Sequence, residues 1–315
     1  MRVTGAQLNA EAEKERATSA AWLAEPERGS RSVMRFVTWL ALHCGRGATR
    51  WLTYPISLYF LVFAPRARRA SRAFLNRALA REAGAADVLR NFHAFAATLH
   101  DRMYLLSGRL EDLDMRIEGA HELDAILARG RGCILLGSHL GSFEALRALG
   151  RLRKGYVINI VMYAGTTQNS SEVLNELAPE LKERVIAPGR PETMLRIKEC
   201  LERGEIVGIL GDRPFGSNKT TLCQFLGAPA RFPDGPYRLA SALAAPVVLF
   251  FGLYRGGNRY RIFLEVLGGS AAEPGEERAK TAQWVERYVR RLEHHARAAP
   301  YNWFNFYDFW GEGLR

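Results

Sequence analysis

The chain is poor in cysteine. Its 315 residues hold four, Cys44, Cys133, Cys200 and Cys223, with no CxxC pair among them. That scatter excludes a disulfide framework and a closely spaced zinc site, fits a reducing compartment, and leaves no metal or cofactor that the sequence demands. Acidic residues are missing where a basic stretch would need them. From Arg28 to Arg81 there are eleven arginines and no Asp, Glu or Lys. This stretch carries a charge equal to the net +11 of the whole chain, so the rest is close to neutral. No apolar run reaches the ~20 residues that a transmembrane helix needs. Residues 1–27 lack the apolar core of a secretory signal, and residues 1–30 read as a polar tail. There is no internal repeat and no low-complexity segment.

What is present in the arginine-rich stretch is grease. "FVTWLALHC" and "WLTYPISLYFLVFA" are separated by "GRGATR" and followed by Arg66, Arg68, Arg69 and Arg72. Short aromatic and aliphatic runs flanked by arginine match helices that lie in a membrane surface and meet anionic headgroups. Residues 31–82 are therefore expected to be a membrane-associating helical segment, with a buried helical hairpin as the alternative. Nucleic acid is excluded as a partner, because the basic residues are interleaved with long apolar runs that a DNA-binding face would expose to water.

Residues 83–315 have a different texture. Residues 83–130 read as largely helical, from apolar spacing of three and four in "DVLRNFHAFAATLHDRMYLLSG" and a glycine stop after "GAHELDAILARG". Short apolar runs follow: "GCILLGS", "GYVINIVMY", "ERVIAPG", "GEIVGILG", then "APVVLFFGLYR" and "YRIFLEVLG". Between them lie helical patterns, "SFEALRALGRLR", "NSSEVLNELAPELKE", "RPETMLRIKECLERG" and "GPYRLASALA". Buried strands alternating with helices predict an α/β fold, a mainly parallel central sheet flanked by helices, with the last two strands as an antiparallel edge. The C-terminal "YNWFNFYDFW" is expected either to pack over the core or to form an aromatic interfacial belt.

The stretch "SHLGSFE" places His139 and Glu144 five residues apart. On a continuous helix, five residues leave two side chains about 140° apart. With seven histidines and 33 acidic residues, such a pair is near chance expectation, so the context must carry the argument. An apolar strand ends at Gly137-Ser138, and a helix begins near Glu144, with Gly141 or Ser142 as its cap. The carboxyl end of a strand beside a helix start is where α/β sheets place chemistry. A carboxylate folded back onto one imidazole nitrogen would leave the other as a base. Ser138 points to the opposite side of an extended chain, so the base would act directly on a substrate hydroxyl or amine.

"SHLGSFE" resembles the His-x4-acid motif of the lysophospholipid (glycerolipid) acyltransferase superfamily, and more narrowly the branch of the late acyltransferases of lipid A biosynthesis. "LRIKECLERGEIVGILGDRPFG", "FLGAPARFPDGPYRLASALAAPVV" and "APYNWFNFYDFW" resemble that branch's later blocks, in order, over residues 85–310. The resemblance implies a membrane-associated acyltransferase at the cytoplasmic face of the bacterial inner membrane. It would move an acyl group from a thioester on acyl carrier protein or coenzyme A to a hydroxyl or amine of a lipid acceptor. It also implies His139 as general base and Glu144 as its orienting partner, with backbone N–H groups at Gly141, Ser142 and Phe143 as the oxyanion site. Asp212 and Arg213 would close the same side of the sheet, Arg213 binding a donor phosphate or polarising the thioester carbonyl; a structural Asp–Arg turn is the alternative. Gln168 and Asn169 would contact the acceptor, and Arg231 and Asp234 are weaker candidates. Two departures point to an amphipathic acceptor other than lipid A. Arg213 stands where the branch typically has Gln, and Phe304-Asn305-Phe306 follow Trp303 where it typically has a His-Arg pair. An acyl ester or thioester hydrolase with the same dyad and a non-catalytic lipid-binding protein are the rival classes.

Overall fold

The computed structural model describes residues 31–153, 155–162, 184–189, 191–213, 219–268 and 277–311. The expected helix "NSSEVLNELAPELKE" and the polar tail lie outside the described residues. Apolar runs buried on both faces form the centre of the sheet. Strand β2 (Cys133–Gly137) is buried at every position, Cys133 and Leu135 facing one core and Ile134 and Leu136 the other. Beside it run β3 (Ile158–Val161), β4 (Val185–Ile186), β5 (Ile206–Leu210) and β8 (Val247–Tyr254), all parallel to it. With β1 (Asp114–Glu118) and β9 (Arg259–Gly268) they make a seven-stranded sheet in the order β1-β9-β8-β2-β5-β3-β4.

The antiparallel pair of β8 and β9 is present, but it is not the edge. Strand β1 lies outside β9, parallel to it, inside the region expected to be helical. Its sequence "DMRIE" exposes every second residue, so it has no apolar run to announce it. A second unexpected pair, β6 (Thr220–Phe225) and β7 (Ala228–Pro233), forms a separate hairpin. Leu226 and Gly227 turn it with φ of 53° and 80°, the positive values a two-residue hairpin loop requires.

Helices α1 (Arg31–Arg50), α2 (Thr53–Phe63), α3 (Pro65–Leu79) and α4 (Ala85–Ser107) precede the sheet, and α1 kinks at Gly45. Helices α5 (Ala120–Leu127), α6 (Glu144–Leu152), α7 (Pro191–Glu202), α8 (Gly235–Ala242) and α9 (Glu277–Ala298) flank it. Phe74 and Leu75 of α3 enter the main core with Tyr288, Val289 and Leu292 of α9. Residues 31–82 are thus anchored on the body of the protein.

Several arginines of this segment serve the fold rather than its surface. Arg46 and Arg50 grip the buried Asp101 of α4, Arg68 donates to the Leu61 carbonyl, Arg77 lies over Trp310, and Arg81 pairs with Asp87. Many large apolar side chains of α1, of α2 and of the link between them do the reverse. Phe36, Trp39, Trp51, Tyr54, Tyr59, Val62 and Phe63 are all exposed. No described helix is long and apolar enough to cross a membrane.

Candidate active site

The register of two strands builds the site. β2 and β5 are parallel neighbours, with Gly137 opposite Leu210. Each chain runs two residues further, and His139 meets Asp212. Asp212 accepts three kinds of bond. The His139 backbone N–H reaches Oδ2 at 3.0 Å, and His139 Nδ1 lies 2.9 and 3.1 Å from the two carboxylate oxygens. Asn305 Nδ2 donates to Oδ2 at 2.9 Å. The Asn305 carbonyl oxygen in turn accepts Arg213 Nε at 2.6 Å, and the Arg213 guanidinium lies over the Tyr307 ring.

Electrostatics sort the protons. Burial pushes the Asp212 carboxyl up, but the adjacent His139, Arg213 and the Asn305 amide outweigh it and bring the pKa to about 2. An ionised carboxylate can only accept, so Nδ1 of His139 carries its proton and Nε2 holds a lone pair. Burial and then the Arg213 charge lower the His139 pKa, against the opposing pull of Asp212, so the neutral base dominates near pH 7. The imidazole keeps 26% of its side chain exposed, and no described residue bonds Nε2. Burial also lowers the Arg213 pKa from its ordinary value.

The orienting carboxylate on His139 is therefore that of Asp212, which corrects the expected His139–Glu144 bond. Glu144 Oε1 pairs instead with Arg102 Nη2 of α4, at 2.7 Å. The cause is the path of the chain. Gly141 takes φ +82°, and the Phe143 ring tucks under the sheet, where Gly137 and Gly208 leave room for it. Helix α6 then starts at Glu144 with its carboxylate toward α4.

The expected oxyanion donors are also corrected in part. The Gly141 N–H bonds the Asn302 carbonyl at 2.8 Å, and the Ser142 N–H bonds the Gly252 carbonyl at 2.7 Å. Both are engaged in the fold, and the Phe143 side chain is a packing group. Arg231 sits exposed on β7, outside the His139 network. Asp234 accepts the Thr221 hydroxyl and closes the hairpin. Gln168 and Asn169 lie outside the described residues.

The C-terminal aromatic block forms the other wall. Leu140 bridges Trp303, the Phe304 N–H donates to the His139 carbonyl at 2.9 Å, and Trp303 stacks on Phe74 with centroids 5.0 Å apart. Asn302 holds both the N–H and the carbonyl of Tyr254. Asn305 and Arg102 were not among the expected site residues. For Asn305 a signal existed, since an amide inside a run of buried aromatics must find hydrogen-bond partners.

Among the described residues, no cluster of three His, Cys, Asp or Glu side chains is placed to hold a metal ion. The family model of the bacterial lipid A biosynthesis acyltransferases matches residues 33–311. No curated protein matches the chain.

Proposed function

The chain belongs to the bacterial lipid A biosynthesis acyltransferase family and is an acyltransferase, and from that footing we propose that His139 is the general base that activates a lipid hydroxyl or amine against an acyl thioester. The observation that carries this is the accessible imidazole whose Nδ1–H is held by an ionised Asp212. Nε2 takes the acceptor's proton as its oxygen or nitrogen attacks the thioester carbonyl. Asp212 stabilises the imidazolium that forms. The tetrahedral intermediate then expels the thiolate, which recovers the proton from Nε2, leaving an acyl ester or amide and a free thiol. The Arg213 cation beside His139 favours the negative charge that develops on the carbonyl oxygen or on a donor phosphate. Glu144, the acidic member of the motif, serves the same centre from the start of α6. The donor is a thioester of acyl carrier protein or coenzyme A, and the acceptor an amphipathic lipid or glycolipid, with Arg213 and Asn305 arguing for one other than lipid A itself.

His139→Ala is expected to lower the rate of acyl transfer by about 10²- to 10⁴-fold. The assay is mass spectrometry of a total lipid extract incubated with a pool of saturated acyl thioesters on both carriers. In the wild type, the acid limb of the rate profile falls at a pH below 6.5, since the base is lost as pH drops through the lowered His139 pKa. Near wild-type turnover in the folded variant would sink the mechanism. Free fatty acid released equally with and without lipid would identify a hydrolase instead.

The same proposal places the protein on the cytoplasmic face of the bacterial inner membrane. At about 1.5 Å per residue, the 11 residues of α2 reach only part of a bilayer's apolar thickness. Its exposed Tyr59, Val62 and Phe63 suit insertion into one leaflet. Arg66, Arg69 and Arg72, exposed at three-residue spacing on α3, suit the anionic headgroups beside it. Tyr59→Asp, Val62→Asp and Phe63→Asp together should shift the protein from the pellet to the supernatant with phosphatidylglycerol vesicles. Truncation would be a poor test, because Phe74 and Leu75 are core residues. Undiminished sedimentation of the triple variant would refute the docking face.

A further inference from the structure

The ion pair between α4 and α6 gives a role to a residue outside the motif. Arg102 Nη2 lies 2.7 Å from Glu144 Oε1, with only 18% and 14% of the two side chains exposed. Arg102 Nε is buried and meets no acceptor among the described residues. A pair that desolvates both charges and orphans a donor is a poor stabiliser of the fold. Its location offers a better reason for it. Glu144 is the first residue of α6, and the link from His139 to it is held at His139 by Asp212 and the C-terminal block, and at Gly141 and Ser142 by the C-terminal block and β8. Arg102 supplies the hold at its far end, on Glu144.

We propose that Arg102 is a positioning residue for acyl transfer: through Glu144 it fixes the start of α6 and, with it, the loop that presents His139. The inference rests on the reading of His139 as the base. It also gives the motif's glutamate a function that needs no contact with the imidazole. Glu144 is the handle by which α4 holds the catalytic loop. The neighbouring residue on α4, Asp101, grips Arg46 and Arg50 of α1, so consecutive residues of one helix tie the catalytic loop and the N-terminal helices to the same element.

The test uses the full chain with the lipid extract and thioester pool named above. Arg102→Met and Glu144→Gln should each lower kcat by about 10- to 100-fold, the cost of a misplaced catalytic group, with KM for the thioesters unchanged. The double variant should be no slower than the slower single variant, because both remove one pair. Arg102→Lys should recover part of the loss, and the acid limb should not move, since burial, Arg213 and Asp212, and not Arg102 or Glu144, set the His139 pKa. A multiplicative double variant would overturn the proposal. So would wild-type kcat in folded Arg102→Met, or losses that merely follow the unfolded fraction seen by circular dichroism. Should Arg102→Met fail to fold, Glu144→Gln and Arg102→Lys carry the same comparison. An inactive His139→Ala beside a fully active Arg102→Met would refute this inference alone; an active His139→Ala would refute the reading beneath it.

Discussion

Asp212→Asn is expected to reduce acyl transfer by about 10⁴-fold while leaving the fold intact. The geometry explains so large an effect for one atom. Oδ2 of Asp212 accepts both the His139 backbone N–H and the Asn305 amide, whereas Oδ1 makes the closest approach to His139 Nδ1, at 2.9 Å. An asparagine would keep its carbonyl oxygen where two donors converge, which turns its NH₂ toward Nδ1. Nδ1 must then accept, the proton moves to Nε2, and the base is in the wrong tautomer. The variant also loses the charge that stabilises the imidazolium. Ionisation supports the same expectation. Asp212 titrates at about 2 in the folded protein against an ordinary 3.8, so its stabilising contribution is complete above the ordinary value and is lost only as pH falls toward 2. It remains a carboxylate wherever His139 titrates, so the acid limb belongs to the histidine. Rates of Asp212→Asn and Glu144→Gln, measured side by side, decide between the two candidate partners. A loss of about 10⁴-fold in Glu144→Gln with a mild effect in Asp212→Asn would restore Glu144 as the orienting carboxylate.

β2 and β5 were readable because each is a short apolar run buried on both faces, and so was the loop that carries His139. The adjacency of β2 and β5 was not readable, because strand order is decided by contacts between residues some 70 positions apart. Without that order, Asp212 looked like a substrate contact and the nearby Glu144 looked like the partner. Strand β1 and the β6–β7 hairpin escaped for a related reason: their charged or small alternate residues break the apolar run. Helix α9 is not among the expected elements although the sequence carries its signal, with Trp284, Val285, Tyr288, Val289, Leu292 and Ala296 at helical spacing and buried. The arginines of residues 28–81 are the subtler case. Their number suggested a headgroup-facing surface, yet guanidinium forks also match buried carboxylates. The location of Asp101 tells that Arg46 and Arg50 face inward.

Asp101→Ala should therefore cost about 3–5 kcal/mol of stability, the range for removing one partner of a buried ion pair. The carboxylate is fully buried and sits among Arg46 Nε at 2.8 Å, Arg50 Nη1 at 3.0 Å and Tyr260 Oη at 2.8 Å. Its removal strands two largely buried guanidinium groups and a buried phenol at once. Because Tyr260 belongs to β9 and the arginines to α1, the loss reaches both the sheet and the N-terminal helices. The urea midpoint should fall with the slope of the transition unchanged. Burial pushes the Asp101 carboxyl up, but His100, Arg46 and Arg50 outweigh it and hold its pKa below the ordinary value. Its stabilising contribution is thus complete above the ordinary carboxylate pKa and is lost as pH falls through the depressed one. The gap between wild type and variant should close over that acidic range. A shift below about 1 kcal/mol at pH 7, the worth of a single ordinary hydrogen bond, would show that Asp101 does not hold α1 to the sheet.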